Sequence, residues 1–170
     1  MRGVVAEGRQ PSAELTSRLL ASPSMEGLDL ATVASVKTAW SEGEGPHIVA
    51  YDYGIKRNIV RMLVGAGCQV TVVPAETGAE DVKMLNPDGL FLSNGPGDPA
   101  AVQYAIETIR DLSGGGLPTF GICLGHQLLG LAFGGRTEKL PYGHRGGDHP
   151  VRDLRTGQVT TLLDDPQGGV

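Results

Sequence analysis

Hydrophobic and polar positions change their pattern along this chain near His47. From there on, short apolar runs, bounded by Gly, Pro, Asn or Asp, predict buried strands. These runs cover residues 47–52, 69–73, 89–93 and 119–122. Between and after them, apolar residues recur every three to four positions, as Ile55, Ile59 and Met62 do, and predict helices. The predicted helices cover residues 55–66, 79–85, 100–112 and 124–133.

This regular exchange of strand and helix predicts the fold class. Strands joined through helices by short connections form an α/β fold, a parallel sheet with helices on both faces. Ligands of such sheets bind at the carboxyl ends of the strands. The loops after Asp52, Ser93 and Ile122 are therefore where we expect function to lie.

The first 45 residues have a different character. They predict one helix from Ser12 to Ala21 and a second, weaker helix from about Asp29 to Trp40. The polar, glycine-rich stretch that follows, residues 41–46, predicts a linker. We therefore expect a domain boundary near residue 45.

Composition and charge remove several classes of function. The net charge is −5, and no block of Lys or Arg provides the basic face of a nucleic-acid binder. The start of the chain lacks the apolar core of a secretory signal, and no apolar run is long enough to span a bilayer. The two cysteines suggest no disulfide framework, so we expect a cytoplasmic protein. Cys68, at the start of a predicted strand, fits a small buried residue.

Cys123 lies in a context that predicts a nucleophile. A strand ends, Cys123 follows at once and a helix begins, with Gly121 and Gly125 two residues away on either side. This is the arrangement of a nucleophile elbow, where crowded backbone requires small neighbours. The start of a helix supplies free N–H groups and a partial positive charge, which favour thiolate over thiol and can stabilise an oxyanion.

Two further loops carry unusual residues. The stretch Ser93–Pro99 reads Ser-Asn-Gly-Pro-Gly-Asp-Pro, and its glycines can let backbone amides approach a ligand or serve only a rigid turn. Lys56 and Arg57 lie in the first turn of a predicted helix, where the helix dipole disfavours cations. They indicate either a ligand or partner, or a solvated pair.

Taken together, these residues resemble the class I, triad-type glutamine amidotransferases. The nucleophile motif is Gly-Ile-Cys-Leu-Gly-His-Gln at residues 121–127. Within that family, the Ser-Asn-Gly-Pro-Gly-Asp-Pro loop, Tyr-Asp-Tyr-Gly-Ile-Lys-Arg-Asn-Ile at residues 51–59 and residues 143–151 resemble carbamoyl-phosphate synthase small chains. The resemblance implies a flavodoxin-like amidotransferase domain, partial over residues 46–170 and truncated at the C-terminus. Residues 1–45 would be the tail of an N-terminal domain with its linker.

The resemblance also implies the chemistry. Cys123 would attack the side-chain amide of glutamine, while Gly95, Gly97, Leu124 (through its backbone) and Gln127 would contact the substrate. Ammonia would pass to a large subunit that makes carbamoyl phosphate from bicarbonate with ATP and magnesium, for arginine and pyrimidine synthesis. No cofactor and no metal site are expected in this chain.

Some parts of the family's pattern are not found. The family's general base, a histidine oriented by a glutamate, lies downstream of the matched residues, so we expect this chain to lack it. His126 fits a packed or hydrogen-bonded side chain better than a substitute base, and His144 with His149 gives only a weak metal-binding pattern. Residues 163–168 replace an expected glutamine-contacting segment. A sheet that ends early leaves an uncovered apolar face, so we expect marginal stability or aggregation.

Three alternatives remain open from the residues. One is an amidotransferase that serves another synthase, such as anthranilate synthase. A second is a module that binds glutamine or a partner without catalysis, which the missing base would favour. A third is a flavodoxin-like thiol protein with a redox-active Cys123, which would need a second cysteine nearby.

Overall fold

The computed structural model describes residues 5, 7, 13–138 and 150–161 of the 170-residue chain. Its helices are α1 (Ala13–Ala21), α2 (Ala31–Ala34), α3 (Arg57–Gly65), α4 (Ala79–Met84), α5 (Gln103–Gly114) and α6 (Leu124–Ala132), with a 3-10 turn at Pro99–Ala101. Its strands are β1 (Trp40–Glu42), β2 (His47–Asp52), β3 (Gln69–Pro74), β4 (Gly89–Leu92), β5 (Thr119–Gly121), β6 (Pro150–Arg152) and β7 (Val159–Thr161). Within the described ranges, no helix has both the length and the apolar character needed to cross a membrane.

The chain divides into two compact units, residues 2–138 and a smaller unit that includes residues 139–170. In the smaller unit the described part is a hairpin, in which β6 and β7 pair antiparallel with Pro150 opposite Thr161. The larger unit contains all the other elements and the three loops for which function was predicted.

The sheet of the larger unit has the strand order β1-β3-β2-β4-β5. Strands β3, β2, β4 and β5 run parallel, which confirms the predicted parallel sheet. Numbered by their order along the chain, these four strands lie in the sequence 2-1-3-4, the flavodoxin-like order. The strand order reverses between β2 and β4, so the switch point where such folds bind ligands lies above these two strands.

Alternate residues of the strands face opposite sides of the sheet. Val49 and Tyr51 pack in one cluster with residues of α4, α5 and α6. Ala50 and Ile48 belong to a second cluster that includes residues of α3. Because side chains alternate along a strand, both faces need apolar cover, and the predicted helices on both faces are confirmed. Cys68 packs half-buried against the second cluster, close to the environment predicted for it.

Residues 29–46 differ from the prediction. The predicted helix over residues 29–40 is wrong, because only Ala31–Ala34 is helical and Trp40–Glu42 forms an antiparallel edge strand against β3. The predicted linker therefore begins as a strand, and Gly43 and Gly45, with φ of +85° and +114°, turn the chain towards β2. Local helical spacing was overridden here by pairing with a strand that lies later in the sequence.

Arg57 contacts two residues of β1 at this edge. Its guanidinium lies 4.2 Å from the centre of the Trp40 ring and forms a salt bridge with Glu42. A hydrogen bond of 2.9 Å between the hydroxyls of Ser41 and Thr71 adds to the pairing. The cation at the start of α3 thus has a partner on β1 and serves the fold.

Candidate active site

The three loops predicted to carry function lie next to one another. In the sheet Tyr51 is opposite Leu92, and Leu92 is opposite Gly121. The residues that follow them, Asp52, Ser93 and Ile122, therefore lie at the same carboxyl edge of the sheet. Because β2, β4 and β5 are adjacent, their three loops form one surface at that edge.

Cys123 occupies the sharp turn between β5 and α6. Its backbone has φ 54° and ψ −112°, and Cys123 and Asn86 are the described non-glycine residues with positive φ. Such a conformation costs of order 1–3 kcal/mol and persists only where surrounding structure enforces it. The thiol is exposed to solvent. The turn thus presents the sulfur above the end of the sheet at an energetic cost.

The flanking glycines are required by close backbone contact. A Cβ on Gly121 would lie 2.6 Å from the carbonyl carbon of Gly125, and a Cβ on Gly125 would run into the carbonyl of Leu92. The Gly125 amide donates a hydrogen bond of 3.0 Å to the carbonyl of Ser93. The end of β5, the start of α6 and the end of β4 therefore touch through backbone alone.

Helix α6 begins immediately after the cysteine. Leu124 is its first residue, and only 1% of this residue is exposed, because the side chain packs in the core. It can therefore offer only its backbone to a ligand, as the family resemblance implied. Gln127 is exposed in the first turn. Among the first amides of α6, those of Gly125 and Gln127 already have carbonyl partners, whereas those of Leu124 and His126 donate to no described residue and are available near Cys123.

The loop after β4 is joined to the loop after β2 by its polar side chains. The Tyr53 amide donates to Ser93 Oγ over 2.9 Å, Asn94 Nδ2 donates to the Gly54 carbonyl over 2.9 Å, and the Lys56 amide donates to Asn94 Oδ1 over 3.2 Å. These contacts make the two loops at the switch point one rigid surface.

Gly95 and Gly97 occupy the next positions of this loop. Gly95 packs on the carbonyl of Tyr53, where no side chain would fit, and Gly97 has φ +105°. Neither of their amides donates a hydrogen bond to another described residue. The structure thus brings Gly95, Gly97, Leu124, Gln127 and Cys123 to one edge of the sheet, and their roles in binding and catalysis stay predictions.

Of the two described histidines, His126 lies near the carboxyl edge and His47 does not. His47 lies at the start of β2, at the opposite edge of the sheet, where its Nε2 is 2.7 Å from Thr71 Oγ1. His126 is exposed in α6, so it is not packed in the core, and no described residue forms a hydrogen bond with its imidazole. His144, His149 and residues 163–168 lie outside the described residues.

Two carboxylates with structural roles were missed by the sequence analysis. Asp52 Oδ1 accepts hydrogen bonds from the amides of Gly54 and Ile55, at 2.8 and 2.7 Å. Asp98 Oδ2 accepts one of 2.9 Å from the amide of Gly27. Asp52 lies two residues before Gly54 and Asp98 directly after Gly97, and an Asp near a glycine is a signal for side-chain-to-backbone turns, although the distant partner of Asp98 has no sequence signal.

The chain is also similar to known proteins. Residues 49–166 match the profile of the family described as glutamine amidotransferase class-I. Carbamoyl phosphate synthase small chains from Rubrivivax gelatinosus and Pectobacterium atrosepticum are 49% and 50% identical over 92% and 89% of this chain. That of Vibrio cholerae is 54% identical over 81% of it.

These relatives are longer proteins. The alignments take in 44%, 45% and 41% of their respective lengths, so this chain spans less than half of each. The profile match alone covers well over half of the 170 residues, within which lie Cys123 and the loop around Gly95 and Gly97. The chain therefore belongs to the class-I glutamine amidotransferase family.

Proposed function

We propose that this chain carries the nucleophile and the backbone donors of a glutamine-hydrolysing site. The observation that supports this most strongly is the backbone of Cys123, held at φ 54° with an exposed thiol at the start of α6. The amides of Gly95 and Gly97, which donate to no described residue, add donors at the same edge. Donors held in place beside a nucleophile stabilise an oxyanion as it forms.

The proposed reaction has two steps. The sulfur of Cys123 forms a bond with the side-chain amide carbon of glutamine, and the negative oxygen that results is stabilised by backbone N–H groups. The carbon–nitrogen bond then breaks, and the nitrogen leaves as ammonia after taking up the thiol's proton. Water next adds to the thioester carbon, the carbon–sulfur bond breaks, glutamate is released and the thiol of Cys123 is regenerated.

The acceptor of the ammonia is proposed from the relatives. Every relative named above is a carbamoyl phosphate synthase small chain, which favours carbamoyl phosphate over an anthranilate-type product. We propose that ammonia passes to a large subunit, where ATP and magnesium drive its reaction with bicarbonate. The same assignment would place the product in arginine and pyrimidine synthesis.

We propose that the general base is absent from residues 13–138 and, as the family resemblance implies, from the rest of this chain. The two histidines in this range are His47, at the opposite edge of the sheet, and His126, which is exposed on α6. Among the described residues, no carboxylate forms a hydrogen bond with the ring of either histidine to orient it, as the triad chemistry requires. We also propose the cytoplasm as the compartment, because Cys123 must remain a free thiol to react and both cysteines are free.

The test is the alkylation of Cys123 by a chloroketone analogue of glutamine, followed by mass spectrometry of the intact chain. A site that binds glutamine predicts a rate that saturates with reagent concentration and falls when glutamine is added. Cys68→Ser should react like the parent chain, whereas Cys123→Ser should not react. The same samples should release little ammonia from glutamine, because the base is proposed to lie elsewhere.

Two results would overturn the proposal. A rate that rises linearly with reagent concentration and is unaffected by glutamine would show that the edge does not bind the substrate. Equal labelling of Cys68 and Cys123 would show that Cys123 has no special environment. Separately, Cys123-dependent release of ammonia at a sustained rate would refute only the absence of a base.

A further inference from the structure

Asp98 joins the Gly95–Gly97 loop to a segment far away in sequence. The Gly27 amide donates to Asp98 Oδ2 over 2.9 Å, and the Asp98 amide donates to the Leu28 carbonyl over 3.1 Å. Its other carboxylate oxygen, Oδ1, accepts from the Ala100 amide over 3.0 Å. One side chain thus caps the 3-10 turn that follows it and forms, together with its own amide, a reciprocal pair of bonds with residues 27–28.

Gly97 brings the same two segments into direct contact. A Cβ at this position would lie 2.9 Å from the Leu28 carbonyl oxygen and 3.0 Å from the Leu30 amide nitrogen. The φ of +105° adds a second reason why only glycine is comfortable here. The loop therefore rests on residues 28–30 through backbone contact as well as through hydrogen bonds.

The segment that supports the loop is itself anchored to the sheet. Asp29 Oδ1 accepts hydrogen bonds from the amides of Ala31 and Thr32, at 3.0 and 3.2 Å. The Val36 amide donates to Asp52 Oδ2 over 2.9 Å, and the Ala75 amide donates to Ser35 Oγ over 2.9 Å. Residues 27–36 therefore lie along the carboxyl edge, fixed to the ends of β2 and β3.

We propose that Asp98 is a positioning residue that holds the Gly95–Gly97 amides in place by tying their loop to residues 27–28. This inference rests on the proposed function, because it names what orients the donors of that glutamine site. It also assigns part of the first 45 residues, which the sequence analysis placed outside the amidotransferase domain, to the support of the site.

Two substitutions test the contact between Asp98 and residues 27–28. Asp98→Asn keeps the size of the side chain but leaves one acceptor oxygen for two amide donors. Asp98→Ser keeps a good cap for the 3-10 turn, yet its short hydroxyl cannot also reach Gly27. If one variant fails to fold, the other still tests the same contact.

Asp88→Asn is the matched control. Asp88 Oδ2 accepts a hydrogen bond of 2.7 Å from the His47 amide, the same chemistry at the opposite edge of the sheet. Losing either bond should lower stability to a similar extent, but only the Asp98 variants should disturb the edge where Cys123 lies.

The measurement separates binding from thiol reactivity. The second-order rate of Cys123 alkylation by the glutamine chloroketone should fall about tenfold or more in both Asp98 variants, because the cost of a lost charged hydrogen bond is of that size. Alkylation by iodoacetamide, which needs no binding site, should change less than about twofold, and the Asp88 variant should match the parent chain in both reactions.

Each other outcome has a definite meaning. If the parent chain reacts in a saturable manner and the folded Asp98 variants react equally fast, the positioning role is wrong and the glutamine site stands. If the iodoacetamide rate falls as much as the chloroketone rate, the substitutions disturb the thiol generally, and the role is also wrong. If the parent chain shows no saturation, the proposed function fails and this inference fails with it.

Discussion

At the scale of single residues, the glycines around Cys123 show how a short motif encodes a backbone shape. Gly121 and Gly125 are small because backbone atoms of neighbouring elements occupy the space of a side chain. Gly130 lies in the same helix, but a Cβ there would meet nothing within 4 Å. Close contact therefore requires glycine at Gly125 but not at Gly130, and alanine substitutions at the two positions should show this difference.

Gly125→Ala should destabilise the chain strongly, by more than about 3 kcal/mol, or prevent folding, because its Cβ meets the Leu92 carbonyl. Gly130→Ala should instead raise the free energy of unfolding by about 0.5–1 kcal/mol, because alanine favours the helix. Urea unfolding followed by circular dichroism measures both. Equal effects of the two substitutions would contradict the close contact of α6 with β4.

At the scale of elements, two buried tyrosines lie at the carboxyl end of β2, next to the loops of the candidate site. The rings of Tyr51 and Tyr53 stack with centroids 5.8 Å apart, and both residues are fully buried. The Tyr51 hydroxyl donates to the Thr77 carbonyl over 2.7 Å. Burial raises the pKa of both phenols well above the ordinary value of 10, with smaller contributions from Asp81 for Tyr51 and from Tyr51 for Tyr53.

These raised pKa values predict alkaline unfolding. In the folded chain both phenols keep their protons above pH 10, whereas in the unfolded chain they lose them near pH 10. The stabilising contribution is therefore complete below pH 10 and is lost as the pH rises above it, by about 1.4 kcal/mol per pH unit for each phenol.

Urea midpoints measured at pH 8, 9, 10 and 11, in steps of about one pH unit, test this prediction. The midpoint should be level up to about pH 9.5 and should fall beyond it, and Tyr53→Phe should reduce the steepness of the fall. The absorbance of tyrosinate should appear together with unfolding. Ionisation of these phenols in the folded chain would contradict their burial.

At the scale of the whole molecule, one face of the sheet has an exposed apolar groove. Its volume is about 520 Å³, and it includes Phe91, Phe120, Ile122, Ile48 and Met62. Phe120 is 64% exposed on β5, which is the last strand of the described sheet. Exposed patches of this kind beside an edge strand favour self-association. The groove gives a physical basis for the aggregation that the sequence analysis expected.

The isolated chain is therefore predicted to unfold below about 60 °C and to associate as its concentration rises. Phe120→Thr should raise the concentration at which association begins in sedimentation experiments. Phe133→Thr is the control, because Phe133 is 69% exposed but does not line the groove. A cooperative transition above about 60 °C in a monomeric parent chain would refute the prediction.

The sequence alone determined the alternating core of this protein. The bounds of β2, the start of β3, the spacing of the helices and the Gly-x-Cys-x-Gly turn follow from local patterns, because buried strands and amphipathic helices repeat with fixed periods. The resemblance to class I glutamine amidotransferases arose from the same short stretches, and the family profile over residues 49–166 confirmed it.

The tertiary structure decided what depends on distant contacts. Strand β1 has only three residues and a mixed polar sequence, so no local period predicts it, and its contacts are with β3 and Arg57. Asp98 reaches Gly27 across 71 residues, and no periodic pattern marks such a pair. A polar side chain binds whichever backbone amide the fold brings close to it. No local sequence pattern indicates which amide that will be.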